Sequence, residues 1–105
     1  MRTIDGVSLR SNRMKLAVQH AADLGRFQIQ VESQWCVANY QLEGDVMTVT
    51  HTGVPPSLEG RGIAAALMQA LLEHARLNGL KVRPQCSYAA AYMQRHPETA
   101  TLRAS

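Results

Sequence analysis

Aromatic residues are scarce in this chain, at 5% of its 105 positions, and it holds two cysteines. Two thiols make no regular framework, so the fold is expected to rest on a hydrophobic core in a reducing compartment, with the thiols free. Long apolar runs are missing as well. The stretch Ile63 to Met68 is far short of the ~20 residues that a membrane helix needs, and the opening MRTIDGVSLRSNR has no apolar centre of the kind a secretory signal requires. A soluble, cytoplasmic protein is expected. Neither sign of charge dominates: 11 Lys and Arg against 8 Asp and Glu leave a formal +3. The basic residues are scattered and no aromatics are interleaved with them, which argues against nucleic acid, a reading that steep salt dependence with oligonucleotides would restore. No histidine has metal-ligand spacing with cysteine or carboxylate, so no metal is expected.

Hydrophobic residues make up 46% of the chain. At this length folding buries about two thirds of the unfolded surface, enough for one domain. Residues 1–13 are polar and aperiodic and read as a flexible start, 14–98 as the domain, and 99–105 as a flexible tail. Met14 to His20 reads as a short first strand. Phe27, Ile29 and Val31 alternate with Gln28, Gln30 and Glu32 in a strand with one wet face. A tight Ser33-Gln34 connection leads to a second clear strand over Trp35 to Leu42. Gly44-Asp45 then turns into Val46 to His51, with Met47, Val49 and His51 expected on one face and Val46, Thr48 and Thr50 on the other. Trp35 and Cys36 read as packing residues.

Pro55 and Pro56 stop that strand, because neither can donate to a ladder. A helix of about five turns follows, with Ile63, Ala66, Leu67, Ala70, Leu71 and Ala75 on its apolar stripe and Asn78-Gly79 at its end. His74 falls inside the stripe and reads as packed. Leu80 to Pro84 suits a strand parallel to Val46 to His51. Ser87 reads as the N-cap of a helix over Tyr88 to His96 that Pro97 ends, with His96 capping it; His20 has no distinguishing context. The fold class is therefore α+β, a mixed and mainly antiparallel sheet against a long helix, with a second short C-terminal helix.

The functional signal lies where the third strand meets the long helix. Gly60 and Gly62 let backbone N–H groups approach a ligand without a side chain in the way, and the free amides of the first helical turn attract anions. A kinase-type phosphate loop would need Lys-Ser/Thr where Ile63-Ala64 stand, and a dinucleotide turn would need a further glycine.

The order strand, loop, x-x-Gly-x-Ala, long helix resembles the acyl-coenzyme A pyrophosphate turn of the Gcn5-related N-acetyltransferase superfamily, Gln/Arg-x-x-Gly-x-Gly/Ala. Glu59, Gly62 and Ala64 hold its three positions, with Glu59 a departure. His51-Thr52 before Val54-Pro55-Pro56, then Gly79-Leu80-Lys81-Val82, Pro84, Cys86, Tyr88 and Arg95-His96-Pro97 extend the likeness to the small one-domain members over residues 20 to 98.

The resemblance implies an acetyl-coenzyme A-dependent N-acetyltransferase with an unidentified amine acceptor. Gly60, Arg61, Gly62, Ile63 and Ala64 would hold pyrophosphate, and backbone at Thr52, Gly53 and Val54 the pantetheine arm, in a gap between Val46 to His51 and Leu80 to Pro84. Cys86 stands before a helix whose amide dipoles favour a thiolate, so it is a candidate acetyl carrier as well as a space-filling buried residue. His51 could accept a proton or tie down the Pro-Pro loop. Glu59 could act as a base or stay solvated, with Arg61 offsetting its charge. The chain also lacks the helical segment that usually builds the acceptor side, so the rival is a non-catalytic coenzyme A-binding or protein-interaction module.

Overall fold

The computed structural model describes residues 17–104. The start at residues 1–13 lies outside them, as do residues 14–16 of the first expected strand; β1 (Gln19–Ala21) takes up only its last two residues, Gln19 and His20, and runs one further. β2 (Arg26–Val31), β3 (Gln34–Glu43) and β4 (Val46–Gly53) follow as an antiparallel meander, and β5 (Lys81–Pro84) runs parallel to β4. The sheet order is β1-β2-β3-β4-β5. The β2–β3 turn is Glu32-Ser33, one residue earlier than expected, because Gln34 already pairs with Val31. Both turn residues have positive φ, 52° and 66°, as the right-handed strand twist demands of a two-residue hairpin.

Two helices cover one face of the sheet. α1 spans Ile63–Leu77 and α2 spans Ser87–Arg95. The buried stripe of α1 is Ile63, Leu67, Met68, Leu71, Leu72 and Ala75. The expected Ala66 and Ala70 are only half-buried. Methionine and leucine have more apolar surface to hide, about 1.5–3 kcal/mol per side chain, so the helix turns Met68 and Leu72 inward. Gly79, at φ 68°, closes α1 with Leu80 N–H donating to Ala75 C=O at 2.9 Å. Phe27, Ile29, Cys36, Ala38, Met47 and Val49 supply the sheet's half of the core. Trp35, expected to pack, is 46% exposed instead. Its cross-strand partner Gln30 is exposed too, so both stand on the face without a helix.

One irregularity matters for function. Asn39 pairs with His51 while Tyr40 pairs with Val49, so Thr50 is an extra residue, a β-bulge in β4. Partners directly across a ladder share a face. His51 therefore lies with Asn39 on the outer face, away from the helices, and not with Met47 and Val49 as strict alternation had it.

The C-terminal end also differs from expectation. In place of a loose tail over 99–105, a 3-10 helix spans Pro97–Leu102, and Arg103 bridges to Val82 beside β5. Thr99 is buried with its hydroxyl donating to His96 C=O at 2.7 Å, and Ala104 N–H donates to Val82 C=O at 2.8 Å. The segment holds because it covers the otherwise unpaired edge of β5. His96 sits at the end of α2 as expected, its Nδ1 2.8 Å from Tyr92 C=O.

His74 is half-buried at the edge of the core, and His20 gains a context. The His20 ring stacks on Phe27 at 4.1 Å and meets His74 edge-on at 4.4 Å, with Nε2 2.6 Å from the Tyr40 hydroxyl. Burial, then the charge of His74, push the His20 pKa below 6.5. The folded state thus disfavours the imidazolium. The stability this contributes is complete above the unfolded value and is lost as pH falls through the lower folded one. Amide exchange in Gln19–Ala21 is expected to quicken as pH drops below 6.5, beyond its intrinsic pH dependence, and His20→Gln is expected to remove that change.

Candidate functional site

β4 and β5 pair from Val46↔Lys81 to Val49↔Pro84 and then part. Gln85 and Cys86 both donate their N–H groups to Val49 C=O, at 3.0 and 3.1 Å, which turns the chain away into α2. The last residues of β4 run on beside the gap. Thr50 bulges at this point, and the extra twist of a bulge helps to open the two strands. Pro55 and Pro56 carry the chain into a short 3-10 turn (Pro56–Leu58) before the glycines.

Gly60 and Gly62 take left-handed φ values of 83° and 78°, and a Cβ on either would meet no heavy atom within 4 Å. They serve the path of the chain, and they leave open space in front of the helix. Gly62 is the N-cap of α1, and the first intrahelical bond is from Ala66 N–H to Gly62 C=O at 3.0 Å. The amides of Ile63, Ala64 and Ala65 precede it and point out of the helix end. No acidic residue stands in that first turn.

A cavity of about 620 Å³ joins these parts. His51, Thr52, Gly53 and Val54 form one wall, and Leu58, Glu59, Gly60 and Gly62 to Ala65 form another; Tyr88 enters from α2. Nine of the eleven residues that the sequence nominated meet here. Arg61 and Cys86 are outside. The Arg61 guanidinium lies 2.8 Å from the Glu32 carboxylate across to the β2–β3 turn, with both side chains about half exposed. Such a pair is worth about 0–1 kcal/mol and opens readily. The His51 ring lies over Gly53, where a Cβ would come within 2.9 Å of Nε2, so glycine at 53 gives that ring its place.

Cys86, not Ser87, is the N-cap of α2. Its backbone is held extended by the two bonds to Val49, and Sγ accepts the Ala89 N–H at 3.4 Å. Cys86→Ser should preserve this cap, serine being a strong N-cap. If the residue is structural, the variant is expected to keep kcat within about twofold and stability within about 1 kcal/mol. Steady-state rates and intact mass, which would show an acetylated thiol on a two-step route, check this.

Tyr88 is the site residue that sequence reasoning did not nominate. It stood in the ordered set of residues, but only the closure of α2 onto β4 shows where its ring goes. Its half-buried phenol is pushed above its ordinary value of 10.0 by burial, against the opposing charge of Arg95 and with a smaller contribution from Tyr92. Tyr88 therefore adds a phenol that stays neutral at physiological pH to a cavity that also holds the open helix amides. No helix among the described residues is long and apolar enough to cross a membrane.

This arrangement can hold an extended molecule with an anionic group at the glycine corner and its tail between two strands. A GCN5-like protein from Staphylococcus aureus, solved by NMR, superposes with a TM-score of 0.70 at 25% identity, over 86% of this chain and 89% of that one. Residues 26–102 match the GCN5-related N-acetyl-transferase family. The bulged and parted strands, the glycine corner and that match over most of the chain together make the protein a member of the GCN5-related N-acetyltransferase family.

Proposed function

We propose that the protein transfers the acetyl group of acetyl-coenzyme A to an amine. The observation that carries this reading is the continuity of the cavity from the end of β4, which β5 leaves unpaired on one side, to the left-handed glycine turn. The residues present fit the substrate. Backbone at Gly60, Gly62, Ile63 and Ala64 would hold the diphosphate, and the free side of Thr52 to Val54 would bind the amide-bearing arm as an added strand does.

The acceptor ammonium first gives up a proton, for which the exposed His51 ring stands at the cavity wall. The amine nitrogen then attacks the thioester carbonyl carbon. A C–N bond forms, the C–S bond breaks, the departing thiolate takes a proton from the neutral Tyr88 hydroxyl, and the second proton that the nitrogen sheds on becoming an amide restores that hydroxyl. Glu59 is exposed at the opposite wall and is read as solvated. The capping bond of Cys86 and its place outside the cavity favour direct attack over an acetylated thiol.

Calorimetry with acetyl-coenzyme A, followed by mass analysis with a panel of amines, tests the proposal. Saturable binding and an acetylated amine are expected. Binding without any product would instead favour a coenzyme A-binding module, and no binding would end the proposal.

A further inference from the structure

We infer that the amine acceptor is an acidic peptide, received on the outer face of the sheet. The reaction part of this inference rests on the acetyl-transfer reading above, whereas the surface does not. The bulge at Thr50 turns His51 to the outer face, so an acceptor that delivers its proton there arrives over that face and not past the helices. Among the described residues no helix covers it.

Among the described residues its two arginines have no carboxylate partner. Arg26 on β2 lies across from Asn39, which lies across from His51; Arg83 on β5 lies beside Thr48. Arg26 Nε donates to Gln28 Oε1 at 2.8 Å and Arg83 donates to Thr48 Oγ1 at 3.4 Å, both neutral acceptors. Neither arginine makes an ion pair among the described residues, where the two ion pairs are Arg61–Glu32 and Arg76–Glu73. Glu43, across from Val46, lies at the far end of the face from His51. The two arginines therefore make the sheet face beside the histidine attractive to carboxylates, while Glu59 lies across the cavity at the glycine corner. A polyamine would be repelled and a carboxylate-rich segment attracted.

The spacing favours a peptide over a single small amine. Arg26 and Arg83 stand three strands apart and two residues out of line, about 16 Å at ~4.8 Å per strand and ~3.3 Å per residue. That distance matches about five extended residues. Between the arginines lie side chains suited to peptide groups. Asn39 Oδ1 is buried and has no hydrogen-bond partner, an acceptor that rotation of the amide would offer to a bound N–H. An unsatisfied buried carbonyl costs about 1–3 kcal/mol, so a ligand that satisfies it gains.

Trp35 is the chain's single tryptophan and lies on this face, so its fluorescence reports peptide binding without acetyl-coenzyme A. The test uses one lysine-containing peptide in three versions, flanked by glutamates, glutamines or lysines, with spermidine alongside. Tighter binding and at least tenfold higher kcat/KM for the glutamate version are expected, falling with salt. Arg26→Gln combined with Arg83→Gln should erase that preference while the affinity for acetyl-coenzyme A stays unchanged. Equal use of the three peptides, or preference for the basic peptide or spermidine, would overturn the inference. If acetyl-coenzyme A fails to bind while the acidic peptide still shifts Trp35 fluorescence, the transfer reading falls and the surface assignment stands.

Discussion

Gly62→Val is expected to weaken acetyl-coenzyme A binding by about a hundredfold while leaving the protein folded. Gly62 has φ 78°, a conformation that costs an L-residue about 1–2 kcal/mol and a β-branched one more. A Cβ there meets nothing within 4 Å, so no clash with the protein adds to that strain. A domain with about 5–15 kcal/mol of stability survives it. The binding site is less tolerant. Relaxing the strain rotates the peptide units that lead into Ile63 and Ala64, whose N–H groups must all point at one diphosphate, and a misplacement of about 1 Å can cost about 10²-fold. The new side chain also fills space that the ligand needs. Calorimetry alongside a thermal melt checks this. An unchanged affinity would mean that the corner is not the anion site.

Tyr88→Phe is expected to lower kcat by about 10²-fold or more, the usual contribution of a positioned general acid, with the dissociation constant for acetyl-coenzyme A little altered. The substitution removes one oxygen from a half-buried ring and leaves its packing against the core in place. Burial keeps the phenol protonated well beyond neutral pH, so the wild-type hydroxyl remains a proton donor throughout the physiological range. The defect should shrink with acetyl thioesters of more acidic thiols, because a better leaving group needs less help. A uniform loss across such thioesters would instead assign Tyr88 to packing alone.

Both predictions concern the same cavity, but its parts were not equally visible in advance. The glycine corner could be read from local chemistry. Pro55 and Pro56 cannot continue a ladder, Gly60 and Gly62 permit positive φ, and the periodic run from Ile63 demands a helix. Those constraints act over a few neighbouring residues, so composition and spacing report them. The family likeness rested on the same stretch, and the match over residues 26–102 agrees with it. Arg61 illustrates the limit of that reading. Its place in the turn was correct, but its partner Glu32 lies 29 positions away in the β2–β3 hairpin.

The errors share one cause. The Thr50 bulge reverses the face of His51 through the register of β4 on β3, and no residue in β4 announces it. Cys86 displaced Ser87 as the cap because Val49 C=O, on another strand, captures two successive amides. The tail over 97–104 is ordered by the vacant edge of β5. Tyr88 reaches the cavity because α2 closes onto β4, and His20 gains its histidine partner from α1.

The amino-acid order alone determined the element sequence, the buried apolar set in outline and a backbone corner suited to anions, because each follows from φ preferences, capping and periodicity within a few turns of chain. The tertiary structure alone decided that two strands part beside that corner, which face carries His51 and that Tyr88 joins the cavity lining. Those outcomes depend on strand register and on contacts between residues distant in sequence, where a shift of one residue exchanges the two faces of a sheet.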